Sequence, residues 1–209
     1  VSAAGAKIRR AFQNPGAAWG YIRARTRGEI FKLWCGIFRP RVRIGRRLTL
    51  GGSLEIRGPG TVIIGDNVNV EMLVTPYTHA PDAVIQIGDY VYLNGTRFGC
   101  KHRIEVGARS ILAECRILDN DFHSVDPDHR NDPEYIKGSP VSIGENVWIT
   151  AQCIIQKGVR IGRDSTITAG SVVKSEIPAR TVAGGNPAVV IRTIEKDSTA
   201  FETGRRNAR

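Results

Sequence analysis

The chain has 209 residues, 41% of them hydrophobic and 7% aromatic, with a formal net charge of +10. This is enough for one sizeable domain with an appended arm, and it is not the composition of a disordered chain. No apolar run approaches the roughly 18 residues of a spanning helix. Lys7, Arg9 and Arg10 lead into polar sequence rather than the apolar core of a signal peptide, so a cytoplasmic chain is expected. The four cysteines, Cys35, Cys100, Cys115 and Cys153, form no C-x-x-C pair and read as buried free thiols.

Residues 1–41 read as a basic, partly helical arm. Residues 1–47 hold 12 Lys/Arg and one acid, Glu29, a net +11, whereas residues 48–209 hold 18 Lys/Arg and 19 Asp/Glu, a net −1. Because the excess is confined to the arm, no nucleic-acid partner is expected. Trp19, Ile22, Ile30, Leu33, Trp34 and Ile37 recur at three- and four-residue steps, the pattern of an amphipathic helix. Two roles fit that pattern. The helix lies on an anionic membrane, placing the protein at its inner face, or it packs on the first part of the body or on a neighbouring subunit.

From residue 141 an aliphatic side chain returns at every sixth position: Ile143, Ile149, Ile155, Ile161, Ile167 and Val173. Two residues before the later members stand Val147, Cys153, Val159, Ser165 and Ser171, all small or β-branched. Alternation by two inside a repeat of six describes a very short strand followed by a turn. A helix, with its period of 3.6, cannot hold this spacing. Gly144 and Gly162 follow their aliphatics where a corner would need backbone freedom.

Upstream the signature is interrupted: Ile44-Gly45, Leu50 and Ile56 are in step, then Ile64-Gly65 and Val70, Ile87-Gly88 and Leu93, and Val106-Gly107. Around residues 106–118 two registers compete; the one with Ile111 and Ile117 inward, which also buries Cys115 rather than Arg116, is preferred to the one with Leu112 and Leu118 inward. Units this short cannot bury their own apolar faces and must stack into a solenoid. The expected fold class is an all-β solenoid, a parallel β-helix of hexapeptide repeats over residues 42–194, interrupted by a loop at 119–140 and followed by a polar tail, 195–209.

Three segments, Asp119-Asn-Asp-Phe-His123, the repeats from Ile143-Gly-Glu-Asn-Val-Trp-Ile149, and Ala183-Gly-Gly-Asn-Pro-Ala-Val-Val-Ile-Arg192, make the sequence resemble the hexapeptide-repeat acyltransferases. Within that family it is similar to the sugar and exopolysaccharide O-acetyltransferases. The resemblance implies a left-handed β-helix and a homotrimer with active sites between subunits. It also implies acetyl-CoA as co-substrate, no metal, and an acceptor hydroxyl on a saccharide or polysaccharide precursor, lipid-linked if the arm meets a membrane.

Acetyl transfer to a hydroxyl needs a base for the proton and donors for the oxyanion. A histidine near neutral pH suits the first role, and the motif assigns it to His123, with Asp119, Asp121 or Asp126 orienting the imidazole. Asn94 resembles the family's residue opposite the base. In the polar loop that follows, Asp126, His129 and Arg130 are acceptor candidates together with Asp119 and Asp121. The carrier track falls to Trp148, Ala151 and Ala169, with Lys174, Ser175 and Arg192 for its phosphates. The family often has Thr-Lys where this chain has Lys174-Ser175, and a second positively charged residue for the phosphates where it has Val189. Competing readings are an N-acyltransferase on an amino sugar or antibiotic, a zinc carbonic anhydrase on the same scaffold, and a non-catalytic trimeric scaffold. Against the zinc enzyme, His123 and His129 stand six apart rather than five.

Overall fold

The computed structural model describes residues 15–195. Helix α1 (Pro15–Phe38) is followed by six coils of three short strands each. The first three coils comprise β1 (Val42–Ile44), β2 (Thr49–Leu50) and β3 (Ser53–Leu54); β4 (Thr61–Ile64), β5 (Asn69–Glu71) and β6 (Leu73–Thr78); and β7 (Val84–Ile87), β8 (Tyr92–Asn94) and β9 (Arg97–Cys100). The next three comprise β10 (Arg103–Val106), β11 (Ile111–Ala113) and β12 (Arg116–Leu118); β13 (Val141–Ile143), β14 (Trp148–Ile149) and β15 (Ile154–Ile155); and β16 (Arg160–Ile161), β17 (Thr166–Ile167) and β18 (Val172–Val173). Strands of the same rank stack in parallel into three sheets, the faces of a triangular, left-handed β-helix. A hairpin of β19 (Thr181–Gly185) and β20 (Ala188–Thr193) ends the second face, and its β20 is antiparallel.

The period of six places one inward aliphatic on each face. Ile143, Ile149, Ile155, Ile161, Ile167 and Val173 are all at most 2% exposed, and Val147, Cys153, Val159, Ser165 and Ser171 are buried between them. The two serines are tolerated because their hydroxyls are used: Ser165 Oγ donates to the Pro178 carbonyl at 2.8 Å, and Ser171 Oγ donates to that of Thr168 at 2.5 Å. All four cysteines are free and buried, as expected, and burial pushes their thiols up, that of Cys115 to about 12.

One expected register is corrected. In the fourth coil Leu112, not Ile111, points inward, while Ile117 and Cys115 are buried as expected. Leu112 stacks on Ile149 and Ile117 on Ile155, so the turn between the second and third faces is one residue shorter in this coil. The slip between the two competing registers occurs at that turn, where Glu114 adopts φ 43°.

The glycines after the aliphatics serve close approach rather than a left-handed backbone. A Cβ at Gly107 would collide with the main chain of Gly144, and one at Gly144 with that of Arg163, in the next coil. The left-handed residue comes two positions later, at Asn146 (φ 55°) and Asp164 (φ 60°).

Helix α1 packs against the first coil through Ala24, Gly28, Phe31 and Cys35, where a Cβ at Gly28 would strike the Leu48 carbonyl. The first coil has no coil before it to use its outward carbonyls, and arginines take them. Arg25 donates to Leu48 O at 3.2 Å, Arg27 to Gly52 O at 2.9 Å and Arg39 to Ile56 O at 3.1 Å. Trp19, Ile22, Ile30, Leu33 and Ile37 remain exposed on the outer side of the helix, and Trp34, half-exposed, borders a cleft with Phe31, Leu54 and Ile56. The expected tail beyond residue 195 and the first 14 residues of the arm lie outside the described residues.

Candidate functional site

The candidate residues separate onto the two edges of the third face (β3, β6, β9, β12, β15, β18). At its far edge, after β12, the loop 119–140 leaves the solenoid. The loop base is closed by an antiparallel bridge between Asn120 and Gly138 and by Lys101 Nζ donating to Pro133 O at 2.9 Å. Asp119 is fully buried, and its carboxylate accepts the main-chain N–H groups of Lys101 and His102, both at 2.7 Å, and a bond from Asn120 Nδ2 at 2.9 Å. The structure thus gives Asp119 to the scaffold rather than to an acceptor. Asp121 is ion-paired with Lys157.

His123 is exposed, its main-chain N–H donating to Asp121 O at 2.7 Å, and among the described residues no carboxylate touches its imidazole. Asp126 caps a short 3₁₀ turn (Pro127–His129) by accepting from Asp128 N, His129 stacks on Tyr135 with centroids 3.8 Å apart, and Arg130 Nη1 donates to Ser124 O at 3.0 Å. All three shape the loop. Lys174 and Ser175 follow β18 along the same edge.

The other edge, the turn between the second and third faces, carries Asn94, Ala151 and Ala169. Gly170 N donates to the Ala151 carbonyl at 3.0 Å, so the two alanines stack coil over coil and leave the main chain open to an extended ligand. Trp148, half-exposed, stands in a column on the second face that runs from Ile111 through Trp148, Thr166 and Val182 to Arg192. Trp148 is therefore a strand residue, not a corner aromatic. Asn94 Oδ1 is buried without a hydrogen-bond partner.

His79 was missed by the sequence reading. It lies between Tyr77 (centroids 4.1 Å apart) and Phe122 (4.8 Å, edge-on), and its Nε2 is buried without a partner. Burial holds its pKa below the ordinary histidine value, opposed by the charge of Asp119. No sequence motif marks it, because its environment is made by a loop 40 residues away. These rings border a depression of about 960 Å³ on the third face, which also holds Met72, Leu73, Arg97 and Arg116. Among the described residues no three His, Cys, Asp or Glu side chains gather to hold a metal.

Residues 140–175 match the family model of the bacterial transferase hexapeptide (six repeats). Repeat and fold together make this chain a hexapeptide-repeat β-helix protein. It is 38% identical over 129 residues to a Saccharomyces cerevisiae protein named as an acetyltransferase, covering 57% of this chain and 64% of that one. It is 34% identical over 132 residues to the galactoside O-acetyltransferase of Escherichia coli, covering 63% of each. The chain thus spans a little under two thirds of these relatives. The solved structure of the N-acyltransferase AntD from Bacillus cereus, at 21% identity, shares the fold with a TM-score of 0.62 over 80% of this chain and 91% of that one.

Proposed function

We propose that the protein is an acetyl-CoA-dependent O-acetyltransferase whose acceptor is a hydroxyl of a saccharide or polysaccharide precursor, working as a homotrimer with each site between two chains. The observation that carries this reading is the split of the candidate residues. His123 and its loop stand at one edge of the third face, Asn94, Ala151 and Ala169 at the other, and five or six residues of strand and turn separate the edges by roughly 15 Å. One chain cannot bring them together. Two chains related by a threefold axis can, with the exposed Met72, Leu73 and Tyr77 of the third face covered by the neighbour. The relatives at 34% and 38% identity support acetyl transfer, and galactoside supports a sugar acceptor.

In this reading the His123 imidazole takes the acceptor hydroxyl proton as that oxygen attacks the thioester carbonyl. The Asn94 amide of the neighbouring chain donates to the oxyanion. Collapse of the tetrahedral adduct breaks the C–S bond, and the imidazolium returns its proton to the CoA thiolate. The stacked alanines and Trp148 hold the pantetheine arm, while Arg192, with Lys174 and Ser175 of the other chain, meets the phosphates.

The test is acetyl-CoA turnover against a panel of saccharide and amino-sugar acceptors. His123→Ala should lower kcat by about 10²–10⁴-fold and leave the KM for acetyl-CoA unchanged. Equal loss of carrier binding makes His123 structural, and turnover only with amines overturns the hydroxyl acceptor.

A further inference from the structure

Helix α1 is apolar on two opposite sides. At 100° per residue, the stripe Trp19, Ile22, Ile30, Leu33 and Ile37 stands opposite the packed stripe of Ala24, Gly28, Phe31 and Cys35, and its members are 54–72% exposed. Arg23 stands at one margin of it and Glu29, ion-paired with Arg25, at the other, while Lys32 lies further round, towards the packed side. Residues 15–47 carry nine Lys/Arg against Glu29. Arg27, Arg39 and Arg41 spend their hydrogen bonds on main-chain carbonyls, which leave their positive charge uncompensated. No helix among the described residues is long and apolar enough to cross a membrane.

The position of this stripe limits what can cover it. Because α1 closes the end of the solenoid, its outer side faces along the solenoid axis, and subunits lying side by side leave it open. Two copies meeting end to end would oppose two strongly positive ends. We propose that α1 docks the protein end-on to an anionic phospholipid surface, its stripe lying among the lipid headgroups and the positive charge of residues 15–47 drawn to the lipid phosphates.

Docking rests on α1 alone. In the trimer proposed above, three such helices share one end, so the second and third contacts become intramolecular, and the solenoids stand upright with their sites facing sideways, above the membrane.

Co-sedimentation of the full chain with vesicles tests this. It should pellet with phosphatidylcholine–phosphatidylglycerol vesicles at about 0.1 M salt and not with phosphatidylcholine alone, and binding should fade towards about 1 M as the Debye length shrinks. The triple variant Ile22→Asn, Ile30→Asn, Leu33→Asn should bind at least about tenfold more weakly, with unchanged melting temperature, because these side chains are exposed. A second variant, Arg23→Glu with Lys32→Glu, should lose the preference for anionic lipid.

A parent chain that stays in the supernatant, or a triple variant that pellets as the parent does, overturns the proposal. So does a parent whose scattering mass in solution is halved by the triple substitution, since the stripe then serves a second copy. Acetyl transfer to a soluble acceptor without vesicles should be the same in parent and triple variant, so failure of docking and failure of the transferase reading are separate results.

Discussion

The carboxylate of Asp119 accepts the main-chain N–H of His102 from the preceding coil at 2.7 Å, inside the solenoid and closed to solvent. A motif that reads as catalytic sequence thus opens with a structural anchor that fixes where the His123 loop departs. Asp119→Ala leaves two amide donors without partners at about 1–3 kcal/mol each, and a stability loss of about 3 kcal/mol in denaturant titration is expected. An unchanged midpoint with lost turnover would return Asp119 to the chemistry.

The shortened turn of the fourth coil gives an adjacent pair of opposite outcomes. Leu112→Asp puts an unpaired charge among the core aliphatics, which costs several kcal/mol, on the order of a domain's net stability, and should unfold the coil. Ile111→Asp, on the outer side of the same strand, should shift the melting temperature only slightly. Circular dichroism melts of the two variants distinguish the registers, and equal effects would contradict the placement.

The solenoid was legible because stacking repeats one environment every six residues, and Ile143 to Val173 declare it. Ile111 and Leu112 were not separable, since both are large aliphatics and the missing turn residue between Leu112 and Ile117 leaves no composition signal. Gly144 stands at the corner the sequence points to, but it serves coil-to-coil approach rather than backbone freedom; the left-handed position belongs to Asn146, whose side chain tolerates it. The positions of Trp148, Ala151 and Ala169 follow from counting sixes. The partners of Asp119 and His79 do not, because a loop that breaks the repeat brings them together. In the arm the 3.6-residue pattern revealed the helix, but the stripe that packs is the one of small residues, Ala24 and Gly28, not the tryptophans.

His79 predicts a pH effect. Its folded-state pKa is lowered by burial, whereas in the unfolded chain it titrates near about 6.5. The unfolded state therefore takes the proton first, so this contribution to stability is complete above about pH 6.5 and is lost as the pH falls towards the folded value. Thermal melts of the parent and His79→Phe across this range should diverge below about pH 6.5, with the parent losing more. Divergence on the alkaline side would contradict the assignment.

The division of one site between two chains is tested most directly by mixing two inactive variants. His123→Ala and Asn94→Ala chains, unfolded together and refolded into mixed trimers, should regain acetyl-CoA turnover at roughly one site in four, where an intact His123 of one chain meets an intact Asn94 of its neighbour. Turnover in the mixture no higher than in either variant alone would contradict the shared site.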